Sequence, residues 1–129
     1  MIKPKKCISP KEARELHDEW TSKRGNQTKK SLGHEDARDF WWSLDELQEY
    51  LDYVKEESKK QGVKNPGIRV YLGTYTKEKC KQGKGLSTVF FAPTGAKPGG
   101  LGKDGADDPN NYDIDAFNLG NGGWPPNKY

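Results

Sequence analysis

The fold is decided by the run Asp39-Phe40-Trp41-Trp42-Ser43-Leu44-Asp45-Glu46-Leu47 and, after a long amphipathic segment, the run Asn65-Pro66-Gly67-Ile68-Arg69-Val70-Tyr71-Leu72-Gly73-Thr74-Tyr75. These two runs predict an extended segment, a capped helix, a turn and a strand, in that order. Every local signal in residues 39–75 agrees, so we expect this stretch to build the core.

The helix of this stretch has a defined start, face and end. Ser43 followed by Glu46 three residues later is the capping-box pattern of a helix N-terminus. Gly62 is a natural helix stop. Between them, the apolar residues expected on one stripe are Leu44, Leu47, Leu51 and Val54, with Tyr50 beside it.

The strand after the Asn65-Pro66-Gly67 turn alternates. One face of the strand is expected to carry Ile68, Val70 and Leu72, and the other face Arg69, Tyr71, Gly73 and Tyr75. A second strongly apolar run at 86–92 predicts a partner strand, and the two should form a hairpin with a long connection.

Outside residues 39–75 the sequence contains fewer patterns that predict a helix or a strand. Ser9-Pro10-Lys11-Glu12 is a second capping box, with Ala13, Leu16 and Trp20 on one helix face and Gly25 as the expected stop. Residues 25–38 are expected to be irregular, residues 93–111 form a loop rich in Gly, Pro and Asp, and residues 112–129 are expected to hold a last strand and a tail. The order of elements predicts a single α+β domain over residues 1–129 with its core in residues 9–94. It should be a small antiparallel sheet of three to four strands with two helices packed on one face.

Composition bounds the class of protein. The chain has 129 residues, of which 31% are hydrophobic, 11% aromatic and 32% charged. Clustered apolar residues and aromatics favour a small globular core over disorder. No apolar run approaches the ~20 residues of a membrane span and no signal peptide is visible, so we expect a cytoplasmic protein without a membrane partner. Cys7 and Cys80 are then expected to be reduced thiols, although the sequence leaves their pairing open.

The net charge of +3 hides alternating blocks. Net charge is +5 over residues 1–34, −7 over 35–58, +9 over 59–103 and −4 over 104–129. Such blocks commonly neutralise one another within a fold, which is the preferred interpretation. The alternative is a nucleic-acid or nucleotide-binding surface on the lysine-rich loop 76–85, whose lysines are Lys77, Lys79, Lys81 and Lys84.

No catalytic set or metal site is recognisable. His34-Glu35-Asp36-Ala37-Arg38 begins like a zinc-protease helix, but Arg38 occupies the position of the second histidine. The aspartates at 104, 107, 108, 113 and 115 have calcium-type oxygens without a calcium-loop spacing, and turn chemistry explains them better. We therefore expect no metal and no cofactor. A small hydrolase or transferase using His34, Asp113 or Asp115 is the least favoured alternative.

The second face of the central strand is the leading candidate for a binding site. Arg69, Tyr71 and Tyr75 cannot be buried together with Ile68, Val70 and Leu72, because the strand alternates. Either Phe117 and Trp124 fold over these tyrosines, or the face binds a protein partner or stacks on bases. The candidate binding residues are Arg69, Tyr71, Tyr75, Lys77, Lys79 and Trp124.

The runs at 39–47 and 65–73, followed by Ser87-Thr88-Val89-Phe90-Phe91-Ala92-Pro93-Thr94, resemble a group of small soluble bacterial proteins of uncharacterised function. The resemblance covers residues 39–94 and extends to Asn118-Leu119-Gly120. It implies a compact bacterial cytoplasmic domain and implies no reaction, cofactor or catalytic residue. The sequence thus favours a non-enzymatic binding domain whose aromatic sheet face contacts a protein partner or a second copy of the chain.

Overall fold

The computed structural model describes residues 1–78, 85–99 and 108–118, together with the backbone of residues 121–122. The fold is α+β, as predicted. The described residues fall into two compact units, one within residues 1–39 and the other between Phe40 and Gly122. The helices are α1 (Pro10–Trp20), α2 (Asn26–Leu32) and α3 (Leu44–Lys60), and the strands are β1 (Phe40–Trp41), β2 (Gly67–Thr74), β3 (Ser87–Thr94) and β4 (Asn121–Gly122).

The first unit is helical and begins as predicted. The Ser9 hydroxyl accepts a hydrogen bond from the Glu12 backbone N–H, and the Glu12 carboxylate accepts one from the Ser9 N–H. The expected stop at Gly25 is wrong, because a π-helical segment, Thr21–Gly25, joins α1 to α2. A Cβ at position 25 would lie 3.0 Å from the ring of Trp20. The glycine therefore leaves room for the indole, and the helical run ends at Gly33, whose φ is +78°.

Helix α3 of the second unit has the predicted ends. The Ser43 hydroxyl accepts a hydrogen bond from the Glu46 N–H at 3.0 Å. At the other end Gly62 has a φ of +76° and donates its N–H to the Lys59 carbonyl at 3.1 Å. A left-handed glycine at this point lets the chain turn away from the helix while its last carbonyls stay paired.

The predicted hairpin is also present, with β2 and β3 antiparallel from Gly67 opposite Thr94 to Thr74 opposite Ser87. A sheet of three to four strands is not confirmed, because among the described residues this sheet has two strands and β1 pairs with β4 in a separate two-stranded sheet. The segment expected to form a last strand at 112–117 touches β3 by a single bridge, Phe91 to Phe117. It turns instead, because the Asn111 side chain accepts a hydrogen bond from the Asp113 N–H.

The core of the second unit lies between α3, the hairpin and the 111–118 segment. Tyr50, Val54 and Ile114 are buried there, and the partly buried residues packed against them are Ile68, Phe91 and Phe117. The Tyr50 ring stacks on Phe117 at 4.5 Å and its hydroxyl donates to the Asp115 carbonyl at 2.9 Å. These contacts fix the rotation of α3, so part of the predicted apolar stripe is wrong: Leu44 and Leu51 are exposed.

Candidate functional site: the outer strand of the hairpin

The backbone of β2 presents one set of hydrogen-bonding groups to β3 and another set outward. The Tyr75 N–H donates to the Leu86 carbonyl at 3.1 Å. Because facing direction alternates along an antiparallel strand, Gly67, Arg69, Tyr71 and Gly73 also turn their N–H and C=O groups toward β3. The groups of Ile68, Val70, Leu72 and Thr74 therefore face away from the hairpin.

The opposite edge of β3 is occupied, and the outer edge of β2 is not paired within the described residues. On β3, Phe91 exchanges two backbone hydrogen bonds with Phe117, at 2.8 and 3.0 Å, and the Pro93 carbonyl accepts from Asn111. No described residue forms a backbone hydrogen bond with the outward groups of Ile68, Val70, Leu72 or Thr74. Within the part of the chain that the structure describes, β2 is an edge strand eight residues long.

Three consecutive side chains in the middle of β2 are exposed. The exposed fractions are 57% for Val70, 36% for Tyr71 and 86% for Leu72. The prediction that Ile68, Val70 and Leu72 share a core face holds only for Ile68, which packs on the Tyr50–Val54 core. Val70 and Leu72 lie farther along the strand than the described core reaches, so they remain in solvent.

Arg69 is the only charged residue of β2, and its guanidinium is engaged within the molecule. It donates to the Asn110 side-chain oxygen and, at 3.0 Å, to the Asp108 carbonyl. These two bonds tie the 108–110 segment to the face of the sheet that carries Tyr71. Arg69 therefore positions that segment, and these bonds use two of the five N–H donors of a guanidinium.

Tyr71 lies at the centre of this face. Its ring stacks on Phe90 of β3 with ring centroids 5.3 Å apart, and its hydroxyl accepts a hydrogen bond from the Asn110 amide at 2.9 Å. The Asn110 bond lowers the pKa of Tyr71, with a smaller contribution in the same direction from Arg69. The ring is held in place on one side and open to solvent on the other.

Tyr75 contributes to the packing of the hairpin. Its hydroxyl donates to the Asn118 side-chain oxygen, and the Asn118 amide donates in turn to the Val89 carbonyl at 2.6 Å and the Thr88 hydroxyl at 3.1 Å. The tyrosine is half-buried at the end of the hairpin. It ties the 117–118 segment to β3, so of the two predicted tyrosines Tyr71 is the more exposed.

Of the remaining predicted binding residues, the structure describes only Lys77. Lys77 is exposed beyond the end of β2. Lys79 and Trp124 lie outside the described residues, as does most of the lysine-rich loop 76–85. Phe117, expected to cover the tyrosines of β2, packs on Tyr50 instead.

Sequence reasoning missed two residues of the site. Phe90 could have been found, because a hairpin register that pairs residue 71 with residue 90 puts both rings on one face. Asn110 gave no signal, since it is one of several asparagines and aspartates in a turn-rich loop. Its role depends on the bridge between Thr94 and Asn110, a contact that only the folded chain reveals.

The acidic and histidine residues considered for catalysis are exposed or interact with nearby groups. Asp113 forms an ion pair with Lys97, Asp115 is exposed, and the His34 Nδ1–H donates to the Glu35 carbonyl at 2.9 Å. Among the described residues no group of three or more His, Cys, Asp or Glu side chains could hold a metal ion. Asp104 and Asp107 of the acidic loop, and Cys80, lie outside those residues, while Cys7 is exposed.

Comparison with known proteins found no matching family model, no matching curated protein and no matching solved structure. The resemblance of residues 39–94 to a bacterial group stays a prediction. No helix within the described ranges is long and apolar enough to cross a membrane.

Proposed function

We propose that this protein is a non-enzymatic interaction domain that binds another polypeptide through β2. The observation that carries the proposal is the exposure of Val70, Tyr71 and Leu72 on a strand whose outward backbone groups are unpaired among the described residues. Polypeptides commonly bind exposed sheet edges by adding a strand, in which the backbone supplies affinity and alternate side chains supply specificity.

The composition of β2 supports this role. Proteins usually protect edge strands with lysines, prolines, bulges or short strand length. Strand β2 is eight residues long, contains neither lysine nor proline, and holds its single arginine in bonds to Asp108 and Asn110. An edge that lacks these protective features is suited to pairing with another strand.

The side-chain chemistry supports a polypeptide partner as well. Tyr71 offers an aromatic ring that is already ordered by Phe90 and Asn110, so binding to it costs little side-chain entropy. Val70 and Leu72 offer aliphatic surface on the opposite face of the same strand. Interface centres are typically apolar and enriched in aromatic residues, and the middle of β2 has this character.

Site-specific photocrosslinking tests the proposal. A photoreactive phenylalanine analogue is introduced at Leu72, and at Tyr112 as a control because Tyr112 is 89% exposed but lies outside β2. In cells producing the protein, we expect crosslinked polypeptide at position 72 well above that at position 112. Equal yields at the two positions would contradict an interaction surface on β2.

A tyrosine pair sharpens the test. Tyr71→Ser should weaken crosslinking at position 72 and lower the unfolding midpoint only modestly, because it removes the Phe90 stack and the Asn110 bond but leaves the Tyr50–Val54–Ile114 core intact. Tyr75→Ser should also lower the unfolding midpoint, since it removes the hydrogen bond to Asn118, but should leave crosslinking at position 72 near the unmodified level. If Tyr71→Ser unfolded the protein, Tyr71 would be a structural residue and the proposed surface would be wrong.

A further inference from the structure

We infer that the polypeptide bound by β2 is a second copy of this chain, with the two β2 strands antiparallel about a two-fold axis at Tyr71. This inference rests on the proposed function and names its partner. The outward groups of β2 belong to Ile68, Val70, Leu72 and Thr74, and an identical strand presents the same set in the opposite direction. A two-fold interface requires such self-complementarity, because the same surface is used on both subunits.

Only one register uses the whole edge. With Tyr71 at the axis, Ile68 pairs with Thr74 of the partner subunit and Val70 pairs with Leu72 of the partner subunit, and the reciprocal pairs follow by symmetry. All four outward residues on each strand then have partners, which gives about eight interchain hydrogen bonds. A register centred on Val70 or on Leu72 leaves part of the outward set unpaired.

The side chains favour the same register. Directly opposed residues of an antiparallel pair lie on the same face, so Val70 contacts the partner's Leu72 and each covers the other's exposed aliphatic surface. On the other face the two Tyr71 rings meet across the axis. Arg69 lies opposite the partner's Gly73, so the only charge of each strand does not face its own copy.

The small size of the β2–β2 interface predicts a weak dimer. Each subunit contributes about eight residues, compared with the roughly 20–30 residues per side of a standard stable interface. The association should accordingly depend on concentration, with monomers dominating when the protein is dilute.

Engineered cysteines test the register. In a background with Cys7→Ser and Cys80→Ser, Tyr71→Cys places two thiols across the axis in a non-hydrogen-bonded pair, where Cβ atoms are about 4.5–5.5 Å apart. We expect Tyr71→Cys to form a disulfide-linked dimer under mild oxidation several-fold faster than Leu72→Cys, which lies opposite a different residue. Equal rates for the two variants would overturn the register.

A proline variant tests the edge itself. Leu72→Pro removes an N–H that faces outward, so the hydrogen bonds between β2 and β3 remain, while the proline ring blocks an incoming strand. Leu72→Ala is the matched control, since it removes the side chain and keeps the N–H. Sedimentation equilibrium at increasing concentration should show dimers for the unmodified protein, weaker dimers for Leu72→Ala, and folded monomers for Leu72→Pro.

The outcomes separate this inference from the proposed function. A protein that stays monomeric at the highest concentration, but crosslinks to a different polypeptide through position 72, would overturn self-pairing and leave the interaction domain standing. A monomer without crosslinks above the Tyr112 control would overturn both. A Leu72→Pro variant that still forms dimers would place any dimer interface away from β2 and overturn the inference.

Discussion

Among the described residues, Ser58 on α3 has the most buried side chain. It is fully buried, and its hydroxyl has no hydrogen-bond partner among the described residues. A serine in a helix can donate to the carbonyl four residues earlier, but no such bond is present here. The hydroxyl therefore bears the desolvation cost of burial without a compensating bond.

We expect Ser58→Ala to raise the free energy of unfolding by about 1–2 kcal/mol, because it removes an unsatisfied hydroxyl and improves helix propensity. The matched control on the same helix is Ser43→Ala, which should lower it by about 1 kcal/mol because it removes the N-cap bond to Glu46. Urea denaturation of both variants measures the difference. A loss of stability in Ser58→Ala would show that the hydroxyl has a partner.

Tyr50 connects α3 to the rest of the core. Burial, with smaller contributions from Tyr53 and Asp115, raises its pKa to about 12. Because the folded-state pKa lies above the ordinary value of about 10, the contribution of Tyr50 to stability is fully present below pH 10. It is lost as the pH rises toward 12.

The variant Tyr50→Phe tests this pH dependence. At pH 8 it should lower the free energy of unfolding by about 0.5–1.5 kcal/mol, since the hydrogen bond to the Asp115 carbonyl is lost. Between pH 10 and 12 the difference from the unmodified protein should shrink, because only the unmodified protein has a Tyr50 hydroxyl to ionise. Denaturation curves that stay equally separated from pH 8 to pH 11.5 would contradict the raised pKa.

Among the elements, those with local signals were predictable from the sequence. Ser9 and Ser43 cap the helices as predicted, Gly62 ends α3 as predicted, and the alternating run 68–75 forms a strand of the predicted hairpin. Each of these depends on residues close together in the chain, where capping and periodicity act directly.

Other elements were mispredicted because their cause lies in tertiary contacts. Gly25 suggested a helix end but serves as space for the Trp20 ring. Leu44 suggested a core residue, but the stack of Tyr50 on Phe117 turns the helix face away from it. A glycine or an apolar residue in the sequence shows which conformations and environments are possible at that position. The contacts made in the folded chain decide which of them is adopted.

The candidate site was predictable only in part, because strand alternation is a local signal and the packing around the strand is not. The alternation placed Arg69 and Tyr71 on one face, and the structure brings both to Asn110. The alternation pattern alone could not show that Arg69 is hydrogen-bonded to the 108–110 segment. Nor could it show that the core ends at Ile68 and leaves Val70 exposed. Both depend on where distant chain segments pack against the sheet.

At the scale of the whole molecule, few apolar side chains are buried among the described residues. They are Ala37, Tyr50, Val54, Val63, Leu86, Ala92 and Ile114. A small core gives a modest margin of stability, and a strand that pairs with a second copy adds hydrogen bonds and apolar contact to it. Association through β2 would then stabilise the folded state by mass action.

The measurement that tests the account most directly is residue-resolved amide hydrogen exchange along β2 at low and high protein concentration. In dilute protein we expect slow exchange at Arg69, Tyr71 and Gly73, which face β3, and fast exchange at the outward Val70 and Leu72. At high concentration the outward amides should become protected as the two β2 strands pair. Outward amides that are equally protected at every concentration, or that remain unprotected at the highest one, would contradict pairing of β2 with a second copy.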